Sequence, residues 1–263
     1  MRRLFSLALL VIVAACADGS DMPPAPAVAT DIGVVVMHGK WGSPGGPVAD
    51  VADAISRQGH RVANIEMPWS HRRLYDVDYD AAMTEIDAAV ATLKEKGARR
   101  IVICGHSAGA NAALGYAATR DGVAGVIVLA PGHTPERFAS RLSESLGKAK
   151  AMMAAGDGES RSDFEDINQG KTRILSVRAR IYLSYFDPDG PAVMPHNAAA
   201  LKPGTALLWV IGNEDRLASA GRAYAFDRAP PNAASRYVEV NASHLNTPAV
   251  ARPIVVKWLA ELP

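Results

Sequence analysis

Beyond residue 31 the chain is written as short apolar runs, rich in Val and Ile, that alternate with longer amphipathic stretches. That alternation leaves few folds open. A strand that is apolar on both faces must be covered on both faces, and the covering helices are the crossovers that join parallel strands. The runs place six strands, at residues 32–37, 61–66, 100–104, 125–130, 206–211 and 236–240. The spacing predicts a helix over 80–96, where Met83, Ile86, Val90 and Leu93 recur at intervals of three and four and Gly97 stands as the stop. Val48, Val51, Ala52 and Ile55 repeat the pattern before Gly59, and residues 249–262 supply a last helix with Pro253 in its first turn or two. The reading is α/β, a mostly parallel sheet of about six core strands flanked by helices.

Residues 133–203 interrupt the alternation. A helix is expected over 135–153, followed by a loop-like stretch at 156–163 and a mixed segment ending in Asp187, Pro188, Asp189, Gly190 and Pro191. This is more chain than a crossover needs. It reads as a helical cap inserted between two core strands, the place where substrate selection resides.

Lys and Arg number 28 against 27 Asp and Glu, so no basic surface gathers nucleic acid, and the expected partner is a small molecule. His60, His71, His133 and His196 show no ligand spacing with a cysteine or a second histidine, so neither a metal nor another cofactor is expected. At the other end, Arg2 and Arg3 precede an apolar run from Leu4 to Val13, too short to span a bilayer and shaped like a signal peptide over 1–15. Val13, Ala14, Ala15 and Cys16 resemble the lipobox of bacterial lipoproteins, which implies lipidation of Cys16, a Pro- and Ala-rich tether over 16–31 and attachment to a membrane. In a cell with two membranes, Ala17 points by the same resemblance to the outer one. The alternative is ordinary cleavage at Ala15, Cys16 and Ala17, which gives a soluble secreted protein. In either case Cys104 is the one cysteine left for the exported domain besides Cys16, so no disulfide framework holds it.

The chemistry is concentrated at Gly105, His106, Ser107, Ala108 and Gly109, which follow a strand and open a helical stretch. A G-x-S-x-G pentapeptide is weak evidence alone. At a strand-to-helix turn it is much stronger, because a tight turn lifts the serine hydroxyl off the backbone to where a base can take its proton. In this the sequence resembles the α/β-hydrolase superfamily, from Ile32 to the C-terminus apart from the insertion. The resemblance implies the order nucleophile, acid, histidine, each after a core strand. Gly212, Asn213, Glu214 and Asp215 resemble the acid loop, and of the two adjacent carboxylates the family spacing selects Asp215. Asn241, Ala242, Ser243 and His244 stand where the family keeps its base. Taken singly, Asp215 also reads as a helix cap before Leu217, and His244 as a solvated loop residue.

His38 and Gly39 match the family's His-Gly element, which implies an oxyanion hole made from the backbone N–H groups of Lys40 and Ala108. Lys40 is then expected to matter for its amide and not for its charge. His106 reads as packing, since the base must approach from the opposite loop. Trp41, Met67, Trp69 and His133 are expected along the substrate pocket, and Glu136 could also line the cleft. The implied activity is hydrolysis of an ester, thioester or amide through an acyl-enzyme, with a small-ester carboxylesterase leading and lipid or acyl-peptide hydrolysis behind it. A noncatalytic, surface-tethered binding protein of the same fold is the reading from another class.

Overall fold

Strands form where Val and Ile cluster, and helices where apolar residues recur along one face. β1 (Ile32–Met37), α1 (Ala49–Arg57), β2 (Arg61–Ile65), α2 (Tyr79–Glu95), β3 (Arg100–Ser107), α3 (Ala108–Thr119) and β4 (Val123–Pro131) alternate without interruption. The insertion follows, as α4 (Pro135–Phe138), α5 (Ser143–Ala154), β5 (Arg161–Asn168), β6 (Lys171–Arg178), α6 (Ala179–Phe186) and α7 (Met194–Ala199). The main sheet resumes with β7 (Ala206–Gly212) and β8 (Arg236–Val240), and α8 (Thr247–Glu261) ends the fold. The computed structural model describes residues 30–263. The expected leader, Cys16 and nearly all of the expected tether lie outside them.

The six core strands run in the order β2-β1-β3-β4-β7-β8, and every pairing is parallel. Side chains alternate across the pleat. Val34, Val36, Val102, Cys104, Ile127 and Leu129 face α1 and α8, while Val35, Met37, Ile101, Ile103, Val126 and Val128 face α2, α3 and the insertion. Because β1 first connects outward to β2 and the chain then returns past it to β3, the strand order reverses between β1 and β3. Crevices of α/β sheets open at such a point, beyond the carboxyl ends of the strands. Lys40 follows β1 and Ser107 ends β3, so both stand at that edge.

Local signals account for the helix limits. Asp78 caps α2 by accepting the Ala81 backbone N–H at 2.9 Å, and Gly97, at φ 89°, releases the chain after it. α3 is buried nearly all round, since the sheet covers one side and α7 the other, and its run of Ala and Gly lets both approach.

The insertion differs from expectation in two ways. The helix expected over 135–153 is broken at residues 139–142 into α4 and α5. The segment expected to be loop-like and mixed contains an antiparallel hairpin, β5 paired with β6, turned by Gln169 at φ 48° and Gly170 at φ 80°. Two successive left-handed residues are what a two-residue hairpin turn of type I′ requires.

Candidate active site

Ser107 joins β3 to α3 with φ 55° and ψ −115°, outside the regions that side-chain-bearing residues prefer. Two glycines make the turn sterically feasible. A Cβ on Gly105 would stand 2.1 Å from the carbonyl of Gly109, and one on Gly109 would stand 2.5 Å from the Met37 carbonyl oxygen. Both positions are closed to any side chain.

From this turn Ser107 Oγ meets His244 Nε2 at 3.0 Å, and His244 Nδ1 meets Asp215 Oδ2 at 2.6 Å. All three residues are buried. A carboxylate can only accept, so Nδ1 carries the proton and Nε2 presents its lone pair to the serine hydroxyl. Asp215 also serves as the cap that its position before Leu217 suggests, because its Oδ1 accepts the Leu217 backbone N–H at 2.9 Å. One oxygen holds the loop while the other holds the imidazole. Glu214, its neighbour, points into solvent.

His106 lies behind the histidine loop, where its Nε2–H donates to the His244 carbonyl at 3.1 Å. Burial first, and then the nearby His244, push its pKa down to about 3. It stays uncharged and holds the His244 backbone from behind.

The loop after β1 is fixed by buried polar contacts. His38 Nδ1–H donates to the Gly39 carbonyl at 2.8 Å, and its Nε2 accepts the Met67 N–H at 3.0 Å, while the Trp69 indole donates to the His38 carbonyl at 2.8 Å. Among the described residues no acceptor takes the Lys40 backbone N–H. Ala108 opens α3, so its N–H belongs to the first turn, where a helix supplies no partner.

The Lys40 side chain is the feature that sequence reasoning passed over. Its ammonium is buried and donates to Asp166 Oδ1 at 2.5 Å and to the Ile167 carbonyl at 3.1 Å. Burial lowers its pKa, opposed by the carboxylate of Asp166. Asp166, fully buried on β5, also accepts from the Trp41 indole at 2.8 Å and the Tyr75 hydroxyl at 3.3 Å. Lys40 therefore matters for its charge as well as its place, because the pair fastens the inserted hairpin to the loop after β1. Removing one member of a buried pair strands the other charge, which typically costs about 3–5 kcal/mol. Asp166→Ala is expected to lower the unfolding free energy by about that much in urea titrations. The double variant Lys40→Met/Asp166→Leu should recover most of the loss. If it is no more stable than the single variant, the stranded charge is not the cause.

These elements enclose a cleft of ≈ 260 Å³ against Ser107 and His244. His133 lines it, although its ring Nε2–H is committed to the Tyr185 carbonyl at 2.8 Å. Trp41, Met67 and Trp69, expected on the wall, lie behind it. Each indole N–H needs a buried acceptor, which Trp41 finds in Asp166 and Trp69 in the His38 carbonyl, and Met67 is fully covered in the core. Glu136 also lies outside the wall and accepts the Tyr224 hydroxyl at 2.6 Å. Arg137, Arg141 and Arg216 line the cleft and were not anticipated. Among the described residues no group of three or more His, Cys, Asp and Glu is placed to hold a metal ion.

Several solved structures share this architecture. A monoacylglycerol lipase from Paleococcus ferrophilus superposes with a TM-score of 0.65 at 20% identity, covering 90% of this chain and 97% of that one. A thermostable carboxyl esterase from Bacillus coagulans gives 0.64 at 14% identity, covering 91% and 92%. Est1E from Butyrivibrio proteoclasticus, solved with ferulic acid, gives 0.61 at 16% identity, covering 92% and 93%. At such identities the likeness speaks for the fold. No curated protein matches the sequence. The sequence itself matches the alpha/beta hydrolase family over residues 12–256, and with nearly the whole described fold inside that span, the chain belongs to that family.

Proposed function

We propose that this protein hydrolyses small carboxylic esters through an acyl-enzyme on Ser107. The observation that carries the reading is the hydrogen-bonded line from Asp215 through His244 to Ser107, with a cleft open against the serine. His244 Nε2 takes the hydroxyl proton as Ser107 Oγ attacks the substrate carbonyl carbon. The new oxyanion is held by the backbone N–H groups of Lys40 and Ala108, worth about 3 kcal/mol each to the barrier. Asp215 keeps the imidazole in the reactive tautomer and stabilises the imidazolium, which returns its proton to the departing alcohol. Water, deprotonated by the same nitrogen, then releases the acid and restores Ser107.

The size of the cleft supports a short acyl chain, since ligand sites generally run to roughly 300–1,000 Å³ and this one lies just below. The line of hydrogen bonds to Ser107 supports catalysis over a purely binding role, and the strained backbone there is of the kind retained at functional sites. The same residues would accept a thioester or an activated amide. A fluorophosphonate probe offers the direct test. It should form one covalent adduct, mapped by peptide mass spectrometry to Ser107, and a short-chain para-nitrophenyl ester should slow the labelling. Labelling at another residue, or none, overturns the assignment.

A further inference from the structure

The proposed active site has an unbalanced charge. Arg137 and Arg141 reach the cleft from the start of the insertion, and Arg216 from the loop that carries Asp215. Several arginines elsewhere pair with carboxylates, as Arg73 does with Glu85, Arg100 with Asp31 and Arg180 with Asp78, while others stand alone on the surface, so what sets these three apart is that they gather at one opening beside Ser107. Among the described residues, the three cleft arginines have no carboxylate within ion-pair distance and no acceptor for their guanidinium N–H groups. The other charged groups in the wall are already engaged, Lys40 with Asp166 and Asp215 with His244 Nδ1–H and the Leu217 N–H. Two carboxylates adjacent in sequence do not intervene, since Glu136 is bonded to Tyr224 away from the wall and Glu214 is exposed outside it.

Two of the guanidiniums have neighbours that place them without using their donors. Arg137 lies over the Tyr224 ring at 5.7 Å, a face contact that leaves the N–H edge free. Arg216 sits beneath the hairpin tip, where a Cβ on Gly170 would come within 3.4 Å of its Nη2. A planar guanidinium suits a carboxylate or phosphate, which it can grip with two parallel hydrogen bonds. Like charges around one opening also repel, which an anionic ligand relieves.

Resting on the hydrolase reading, we infer that the preferred substrate is an ester carrying an anionic group, such as a free carboxylate, a few bonds from the scissile carbonyl. The arginines would bind that group while Ser107 attacks the ester carbon.

The test compares two esters with acyl chains of equal length, para-nitrophenyl hexanoate and mono-para-nitrophenyl adipate, on the full chain with spontaneous hydrolysis subtracted. The charged ester should lead in kcat/KM by about tenfold, and about 0.5 M salt should erode that lead through screening. In Arg137→Gln/Arg141→Gln/Arg216→Gln, checked for folding by circular dichroism, the ratio of the two kcat/KM values should fall towards one. The single variant Arg216→Gln should fall between. A wild-type ratio at or below one, or a ratio unchanged in the triple variant, overturns the inference while leaving the hydrolase reading in place. Calorimetric titration of Ser107→Ala protein with adipamate, whose amide stands in place of the ester, and with uncharged hexanamide separates the two claims, since it needs no turnover. Adipamate bound more tightly, and released when the three arginines are replaced, sustains the anion site even if neither ester is hydrolysed. Equal binding of the two amides removes it.

Discussion

Ser107→Ala should lower ester turnover by about 10⁶-fold, the scale on which loss of the nucleophile in a serine triad abolishes the covalent route. What remains should be a small acceleration over water from the oxyanion donors and from binding. The fold should survive. Alanine keeps the Cβ, so the left-handed backbone at φ 55° is neither relieved nor worsened, and only the 3.0 Å contact with His244 is lost. That contact is worth about 1 kcal/mol to stability, a shift of a few degrees at most in a melting curve. Stopped-flow or plate kinetics on a para-nitrophenyl ester, beside a thermal melt followed by circular dichroism, gives both numbers. Turnover within tenfold of the parent would mean that another group attacks the ester.

Asp215→Asn should lower kcat by about 10⁴, whereas Glu214→Gln should leave it within threefold. The difference follows from what each carboxylate touches. Asp215 is buried and uses both oxygens, one for His244 Nδ1 and one for the Leu217 N–H. An amide has one acceptor oxygen. If that oxygen stays with the loop, the NH₂ group faces Nδ1 and drives the proton to Nε2, which leaves no base for Ser107. Glu214 is exposed and contributes its backbone N–H to the Ala242 carbonyl at 3.2 Å, a contact that the substitution retains. Kinetics of the two variants on one ester settle the ranking. Equal losses, or a greater loss at Glu214, would falsify the assignment of Asp215 as the orienting acid.

Much of this architecture was legible because it rests on local rules. Val- and Ile-rich runs gave β1 its limits, and β7 to within one residue, since a strand buried on both faces has no polar alternative in its composition. The same rule ended β3 too early, at Cys104, because the ladder continues through Gly105 and His106, which carry no strand signature. The serine turn was readable from its two glycines, whose absent side chains leave room for backbone on both sides. In the insertion the signals failed for physical reasons. Residues that suit a helix over 135–153 do not say whether its axis is continuous, so the break between α4 and α5 left no trace. The β5–β6 hairpin turns on Gln-Gly, not the Asn-Gly or Asp-Gly that marks such turns, and its inward face is interrupted by the charge of Asp166. The partner that makes a buried aspartate tolerable is Lys40, 126 positions away in the chain, and nothing local announces it. The tryptophans were misplaced for a related reason. An indole beside a strand end serves a wall or a core equally well until its N–H acceptor is known.

The bond between Lys40 and Asp166 also bears on how such a protein can be re-engineered. Insertions like 133–203 invite exchange between relatives, as though specificity were a detachable part. Here the hairpin carries half of an ion pair whose other half belongs to the loop after β1. A chimera that imports a foreign insertion while keeping Lys40 would bury an ammonium against whatever the donor offers, and one that exports this hairpin would carry a buried carboxylate into a host without its counterion. Either graft begins with a destabilising defect in the wall of the cleft that Ser107 faces. The transferable module is therefore discontinuous, residues 38–41 together with the hairpin, and recombination at the insertion boundaries alone would separate what the fold has joined.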